Sequence, residues 1–135
     1  MSESFSAYRA AQAYRGVSVM VSPLKAVVML LDGAITLLKK AIEAGEAKQL
    51  EESHNHIMRT TAILRGLSQH LNVEKGGALA DRLSKTYDSL ILVCLRSFGQ
   101  PDAARRYRRI ISSLTELRDA WSSVLSDSAN RLSKP

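Results

Sequence analysis

Between Ser22 and Gly45 the chain reads SPLKAVVMLLDGAITLLKKAIEAG, a helix with its own start and stop signals and more apolar surface than one core contact uses. Ser22 is suited to cap the N-terminus, Pro23 to the first helical position, and Gly45 to the end. Leu24, Val27, Val28, Leu31, Ile35, Leu38 and Ile42 recur at three- and four-residue spacing and make one core stripe. At 100° per residue, Ala26, Leu30, Gly33, Ala34, Leu37 and Ala41 make a second stripe along the flank. Both stripes must be buried. If the chain's own helices cover only one, a partner must cover the other.

Three more helical patterns follow, joined by short turns. From about Ala47 to His70, Leu50, Ile57, Leu64 and Leu71 keep a seven-residue period, with Thr61 and Ser68 on the same face. After Gly76-Gly77, Leu79, Leu83, Tyr87, Leu90, Cys94 and Phe98 line one face as far as Phe98. Gly99-Gln100-Pro101 breaks the chain, and Tyr107, Ile110, Ile111, Leu114, Leu117, Trp121 and Leu125 form a last stripe from about Asp102 to Leu125. No segment alternates with period two, so no strand is predicted. Helices of about 22 residues are about 33 Å long, and connections this short return each one antiparallel to the last. The prediction is an all-α, up-down-up-down four-helix bundle in one domain spanning 1–135: an arm over 1–21, the bundle over 22–125 and a polar tail over 126–135.

The 135 residues suffice for a core without disulfides, and the single Cys94, inside an apolar helical run, reads as a buried thiol. No apolar run reaches the roughly 18–20 residues of a membrane span, and the N-terminus lacks a secretory h-region, which places the chain in the cytoplasm. A net charge of +6 raises a nucleic-acid reading. Much of the excess sits in Arg105, Arg106, Arg108 and Arg109, aromatics are only 5% of the chain, and no helix-turn-helix, zinc-finger or RNP pattern appears, so no nucleic-acid partner is expected. That arginine cluster reads as a solvated face with Glu74 or Asp102 as partners, or as a contact for an acidic partner.

Enzyme and metal chemistry find little support. Glu51 and His54 form a Glu-x-x-His step with His56 nearby, but a di-iron bundle needs a second such step and more inward carboxylates, and the only other histidine is His70. Three histidines on one helix offer no Ser/His/Asp constellation, and Gly76-Gly77 lacks phosphate-loop spacing. The chain reads as a binding protein without catalytic residues, cofactor or metal. A basic nucleic-acid-associated helical protein and a ferritin-like metal bundle are the alternatives.

Four motifs in order resemble one family. SPLKAVVMLLDGAITLLKKAIEAGE is similar to the signature first helix of the flagellin-specific export chaperones (FliS), with Leu31 where that family has an aromatic and Lys25 in place of an acidic or polar residue. HLNVEKGGALADRLSKTYDSLI resembles the family's turn and third helix, LTELRDAWSSV its last helix, and Ala13-Tyr14-Arg15 its N-terminal Ala-Tyr. The resemblance implies a cytosolic chaperone that holds the disordered C-terminal segment of flagellin, blocks premature polymerisation and delivers it to the flagellar type III export apparatus, with a co-chaperone as a further partner. The free protein is expected to be a monomer or weak homodimer.

The implied client explains the surplus apolar surface. Folding on binding loses about 2–5 kcal/mol to ordering, which a few hundred Å² of apolar burial at about 25 cal/mol per Å² offsets. By helical geometry the client surface comprises Ala26, Leu30, Gly33, Leu37 and Ala41 on the first helix, Ile63 and Leu67 on the second, and Ile91, Leu92 and Leu95 on the third. Phe5, Tyr8 and Tyr14 are assigned as an arm that covers the groove until a client displaces it.

Overall fold

The computed structural model describes residues 13–14 and 23–133, with side chains to residue 127. Its helices are α1 (Pro23–Glu46), α2 (Leu50–Gln69), α3 (Val73–Ser97) and α4 (Ala103–Ser133), with no strand among the described residues. The cross-helix contacts fix the topology. Gly33 lies against Ile63 while the Ser53 hydroxyl donates to the Ala41 carbonyl (2.7 Å), so α1 and α2 run antiparallel. The Ser68 hydroxyl donates to Asp88 (3.0 Å) and the His54 ring meets Phe98, setting α2 against α3 in the same way. Asp32 pairs with Arg118 (2.8 Å) and Glu46 with Arg108 (3.6 Å), bringing α4 back beside α1. The predicted up-down-up-down bundle is therefore present. Its four seams are unequal: α1–α2 is the most extensive, and α3 and α4 barely approach each other.

The predicted stripes make the core. Leu24, Val27, Leu31, Ile35, Leu38 and Ile42 are buried against Ile57 and Leu64, Leu79, Leu83, Tyr87 and Cys94, and Tyr107, Ile110, Leu114 and Trp121. Buried Thr60 and Thr61 satisfy their hydroxyls on the carbonyls of His56 and Met58 (both 2.8 Å), so their polar atoms cost the core little.

The helix ends differ from the predicted ones. Ser22 lies outside the described residues, so its capping role is undescribed. Gly45 sits inside α1, and the stop comes at Lys48, whose φ of 61° is left-handed. Gln49 N–H donates to the Ala44 carbonyl (2.8 Å) and Lys48 N–H to that of Gly45 (3.0 Å), the paired closing bonds usually built around a left-handed glycine. α3 starts before the glycines: Asn72 caps it by accepting from Lys75 N–H (3.0 Å), and Gly77 (φ 56°, ψ −136°) interrupts it one turn in. α4 continues to Ser133, past Leu125, because 126–133 contains no glycine or proline to stop it. Leu50 keeps the period of Ile57 and Leu64 yet stands exposed, on the first turn of α2 at the end of the bundle.

Candidate functional site

The described part of the arm is Ala13-Tyr14, and it docks where the helices meet least. The Ala13 carbonyl accepts from Asn72 N–H (2.9 Å) at the α2–α3 turn. The approach depends on Gly76, where an added Cβ would lie 2.9 Å from the Ala13 Cα and 2.7 Å from the Ala80 Cβ. Tyr14 is then fully buried between α3 and α4, its hydroxyl 2.7 Å from that of Tyr87 and its ring edge-on to Trp121, centroids 5.6 Å apart. Burial pushes the Tyr87 hydroxyl up to about 12, with the hydrogen bond to Tyr14 acting the other way. Tyr14 is raised further, by burial first and then by Tyr87. Tyr14 thus fills the α3–α4 seam from outside the bundle. Phe5 and Tyr8 lie outside the described residues.

The second stripe of α1 faces α2, which decides what remains for a partner. Leu37 and Ala41 are buried there, so neither is available as open surface: the small residues Gly33, Ala34 and Ala41 let α2 come close, and the Ser53–Ala41 hydrogen bond holds it. Leu30 lies on the same flank but is 42% exposed against 5% for Leu37. The register carried by Gly33 and Ile63 puts Gly66 across from Leu30, and a Cβ added at Gly66 would meet nothing within 4 Å. Ala26, Gly33 and Ile63 are half-buried around that opening.

Leu67 on α2 and Ile91 on α3 are also buried, taken up by the bundle. Leu92 and Leu95 remain open, on the α2-facing flank of α3 that also carries Ser84 and Asp88. Met58, which the sequence reading passed over, is exposed level with them by the Ser68–Asp88 and His54–Phe98 register. Met29 on α1 and Val93 on α3 are further exposed apolar side chains it missed. Their signal was an apolar residue one position off a core stripe, with methionine the adaptable choice for a contact surface. The open apolar positions therefore form two faces, Met29-Leu30-Ile63 and Met58-Leu92-Leu95, on either side of α2.

The remaining candidates have structural partners. His54 stacks edge-on with Phe98 (5.0 Å), and His56 Nε2 lies 3.7 Å from Glu52, so neither histidine joins a metal-ligand group among the described residues. Burial pushes the Cys94 thiol up to about 12 and keeps it protonated. In the arginine cluster Arg105 and Arg106 both bind Asp102 at 3.0 Å, while Arg108 reaches Glu46 rather than Glu74. Arg106, joined by Arg105, holds the Asp102 carboxyl below its usual range. Among the described residues no helix is long and apolar enough to cross a membrane.

Residues 6–128 match the family described as flagellar protein FliS. The chain belongs to the FliS family. It is 31% identical to the flagellar secretion chaperone FliS of Salmonella typhimurium, over 84% of this chain and 87% of that protein. With the FliS of Campylobacter jejuni the identity is 32%, covering 76% and 80% of the two chains. FliSB of Pseudomonas aeruginosa is 25% identical over 87% of this chain and 97% of its own. FliS membership makes this bundle a flagellar export chaperone.

Proposed function

We propose that the protein holds the disordered C-terminal segment of flagellin in the cytoplasm, keeps it from polymerising and hands it to the flagellar type III export apparatus, acting without catalysis, cofactor or metal. The observation that carries this reading is the pair of open apolar faces on either side of α2, in a chain whose relatives are flagellar secretion chaperones. Leu30, Gly33 and Ile63 with Ala26 serve one face, and Leu92 and Leu95 with Met58 the other. Leu37, Ala41, Leu67 and Ile91 support these faces from beneath. A segment long enough to touch both must wrap the bundle, which suits an extended chain that folds on binding. Tyr14 fills the α3–α4 seam and lies on neither of these faces, so in this reading its release opens that seam as a third stretch of the client's path, with Phe5 and Tyr8, outside the described residues, assigned to the same arm.

Calorimetry with a peptide from the C-terminus of a flagellin of the same organism tests this. A stoichiometric complex with a strongly negative heat-capacity change is expected, little altered between low and moderate salt. No binding at about 100 µM peptide overturns it. Leu92→Glu and Leu95→Glu should fold normally and lose the client. Trp121, the only tryptophan, packs on Tyr14 and reports arm release as a change in fluorescence when a tryptophan-free client peptide is added.

A further inference from the structure

The two seams of α4 differ in how charge is placed along them. On its α1 side, Arg118 and Arg108 cross to Asp32 (2.8 Å) and Glu46 (3.6 Å). On its α3 side no ion pair crosses among the described residues. The turn of each helix, 100° per residue, explains the difference. Ser68 meets Ser84 and Asp88, which fixes the α2-facing flank of α3, and Asp81, paired with Lys85 at 3.1 Å, lies toward that side too. The opposite flank, toward α4, carries Ser89, Val93 and Arg96 and no acid. Across from it α4 presents Arg106, Arg109 and Ser113, with Arg105 facing outward. Arg105 and Arg106 share the carboxylate of Asp102 (both 3.0 Å), and the side chains of Arg96 and Arg109 have no partner among the described residues.

These groups gather at one end of the seam. Gln100 N–H donates to the Ser97 carbonyl and Ala103 N–H to that of Gln100 (both 3.1 Å), so a tight turn sets Arg96 level with the start of α4, with Val93 and Arg109 next along. Because α3 and α4 barely approach each other, the strip between the arginines is a shallow groove. Its floor is apolar: Val93 is 39% exposed, and Leu90 and Leu117 are half-buried. Tyr14 occupies only the far part, beside Tyr87 and Trp121. Glu116, exposed two turns beyond Arg109, ends the positive stretch. Four guanidinium groups thus border this end against the one carboxylate of Asp102, an arrangement complementary to an anionic occupant with an apolar side chain.

We infer that the turn end of the α3–α4 groove docks an acidic segment of a protein partner, one apolar side chain resting on Leu90 and Val93 and carboxylates reaching Arg96, Arg105 and Arg109. Nucleic acid fits less well, since neither flank offers an aromatic ring for bases to stack on. A flat anionic membrane would meet the arginines but not the apolar strip set between two helices. A second copy of this chain would bring a net charge of +6, and the chain's own residues 1–12 hold one glutamate and one arginine, so neither supplies the negative charge. The groove is open with Tyr14 in its seat and shares no residue with the two client faces, so the inference stands apart from the client reading.

The test uses a synthetic helical peptide with one leucine among glutamates at three- and four-residue spacing, titrated into the ¹⁵N-labelled full chain. Expected are amide shifts centred on Leu90, Val93, Arg96, Arg109 and Ser113, with affinity falling as salt rises. Arg96→Glu paired with Arg109→Glu, both exposed, should leave the thermal melt unchanged and weaken binding by about tenfold or more. Val93→Ser, or alanine for the peptide's leucine, should each weaken it about fivefold. Lys39→Glu paired with Lys40→Glu makes the same change of charge on α1 and should leave the affinity within about twofold. All these variants should bind the flagellin C-terminal peptide unchanged, which separates failure here from failure of the client reading. No shifts at about 1 mM peptide overturn the inference, and so does an equal loss in the Lys39 and Lys40 variant, which would mean diffuse attraction. A single-stranded oligonucleotide or a phosphatidylglycerol vesicle that binds more tightly than the peptide, and is lost with Arg96 and Arg109, overturns it in favour of that partner. Displacement of the probe by the flagellin peptide overturns it by assigning the groove to the client's path.

Discussion

The α1–α2 and α3–α4 seams are both made by antiparallel neighbours, yet they are closed in opposite ways. Small residues of α1 (Gly33, Ala34 and Ala41) let α2 settle against it, and Ser53 bonds directly to the Ala41 backbone. α3 and α4 stay apart, and the gap is filled by Tyr14, delivered from before the bundle and held through Ala13 at the α2–α3 turn. One seam belongs to the helices. The other is completed by a side chain from outside the bundle, the piece that the proposed function takes to be displaced.

The contrast breaks most sharply at Leu37. Leu37→Glu puts a charge into the closed α1–α2 seam and should cost on the order of 4 kcal/mol, abolishing a cooperative melt followed by circular dichroism. Leu30→Glu, one repeat earlier but facing Gly66, should leave the melting temperature nearly unchanged. If both variants unfold, the seam is closed along its whole length and the opening at Gly66 is not a surface.

The open seam is sensitive to alkali through its tyrosine pair. Tyr87 is raised from 10.0 to about 12, so the folded state holds its proton more tightly than the unfolded chain. That contribution is fully present below pH 10 and is lost as pH rises through about 12, worth about 2–3 kcal/mol over the range. Thermal melts between pH 9 and 12, read beside tyrosinate absorbance, check it, and Tyr87→Phe should lessen the dependence, leaving the part that belongs to the raised Tyr14, Cys94 and Tyr107. Gly76→Ala probes the same seam from the arm's side. The added methyl meets the Ala13 backbone and Ala80, so a loss of about 1–2 kcal/mol and a shift in Trp121 fluorescence are expected while the helical content stays. The smallest effect lies outside both seams: Lys48→Gly relieves a left-handed non-glycine residue and should stabilise by about 0.5–1 kcal/mol in chemical denaturation.

The bundle, its antiparallel order and most core positions were legible because they follow from local periodicity. The second stripe of α1 was legible as geometry but not as function, since nothing within α1 says that Gly66 will stand across from Leu30 while α2 covers Leu37. Of the surface assigned on α2 and α3, Leu92 and Leu95 are open, whereas Leu67 and Ile91 sit close enough to the core stripes for ordinary packing to absorb them. Gly76 looked like punctuation, but its smallness serves a contact with Ala13 more than sixty residues away. That the Tyr107 hydroxyl finds no hydrogen-bond partner among the described residues has no sequence signal at all, because an aromatic in a core stripe looks the same whether or not its oxygen finds one.

The Tyr14–Tyr87 hydroxyl pair works as a selection rule. In the proposed displacement, loss of Tyr14 would strand the Tyr87 oxygen in an apolar cleft beside Trp121, to be satisfied only by something that carries a donor or acceptor to that depth. A purely aliphatic replacement would match the grease and still be penalised. Under that proposal, whatever took the arm's place would be screened for one buried polar atom as well as for hydrophobicity, so the cleft would discriminate among greasy chains instead of accepting them all.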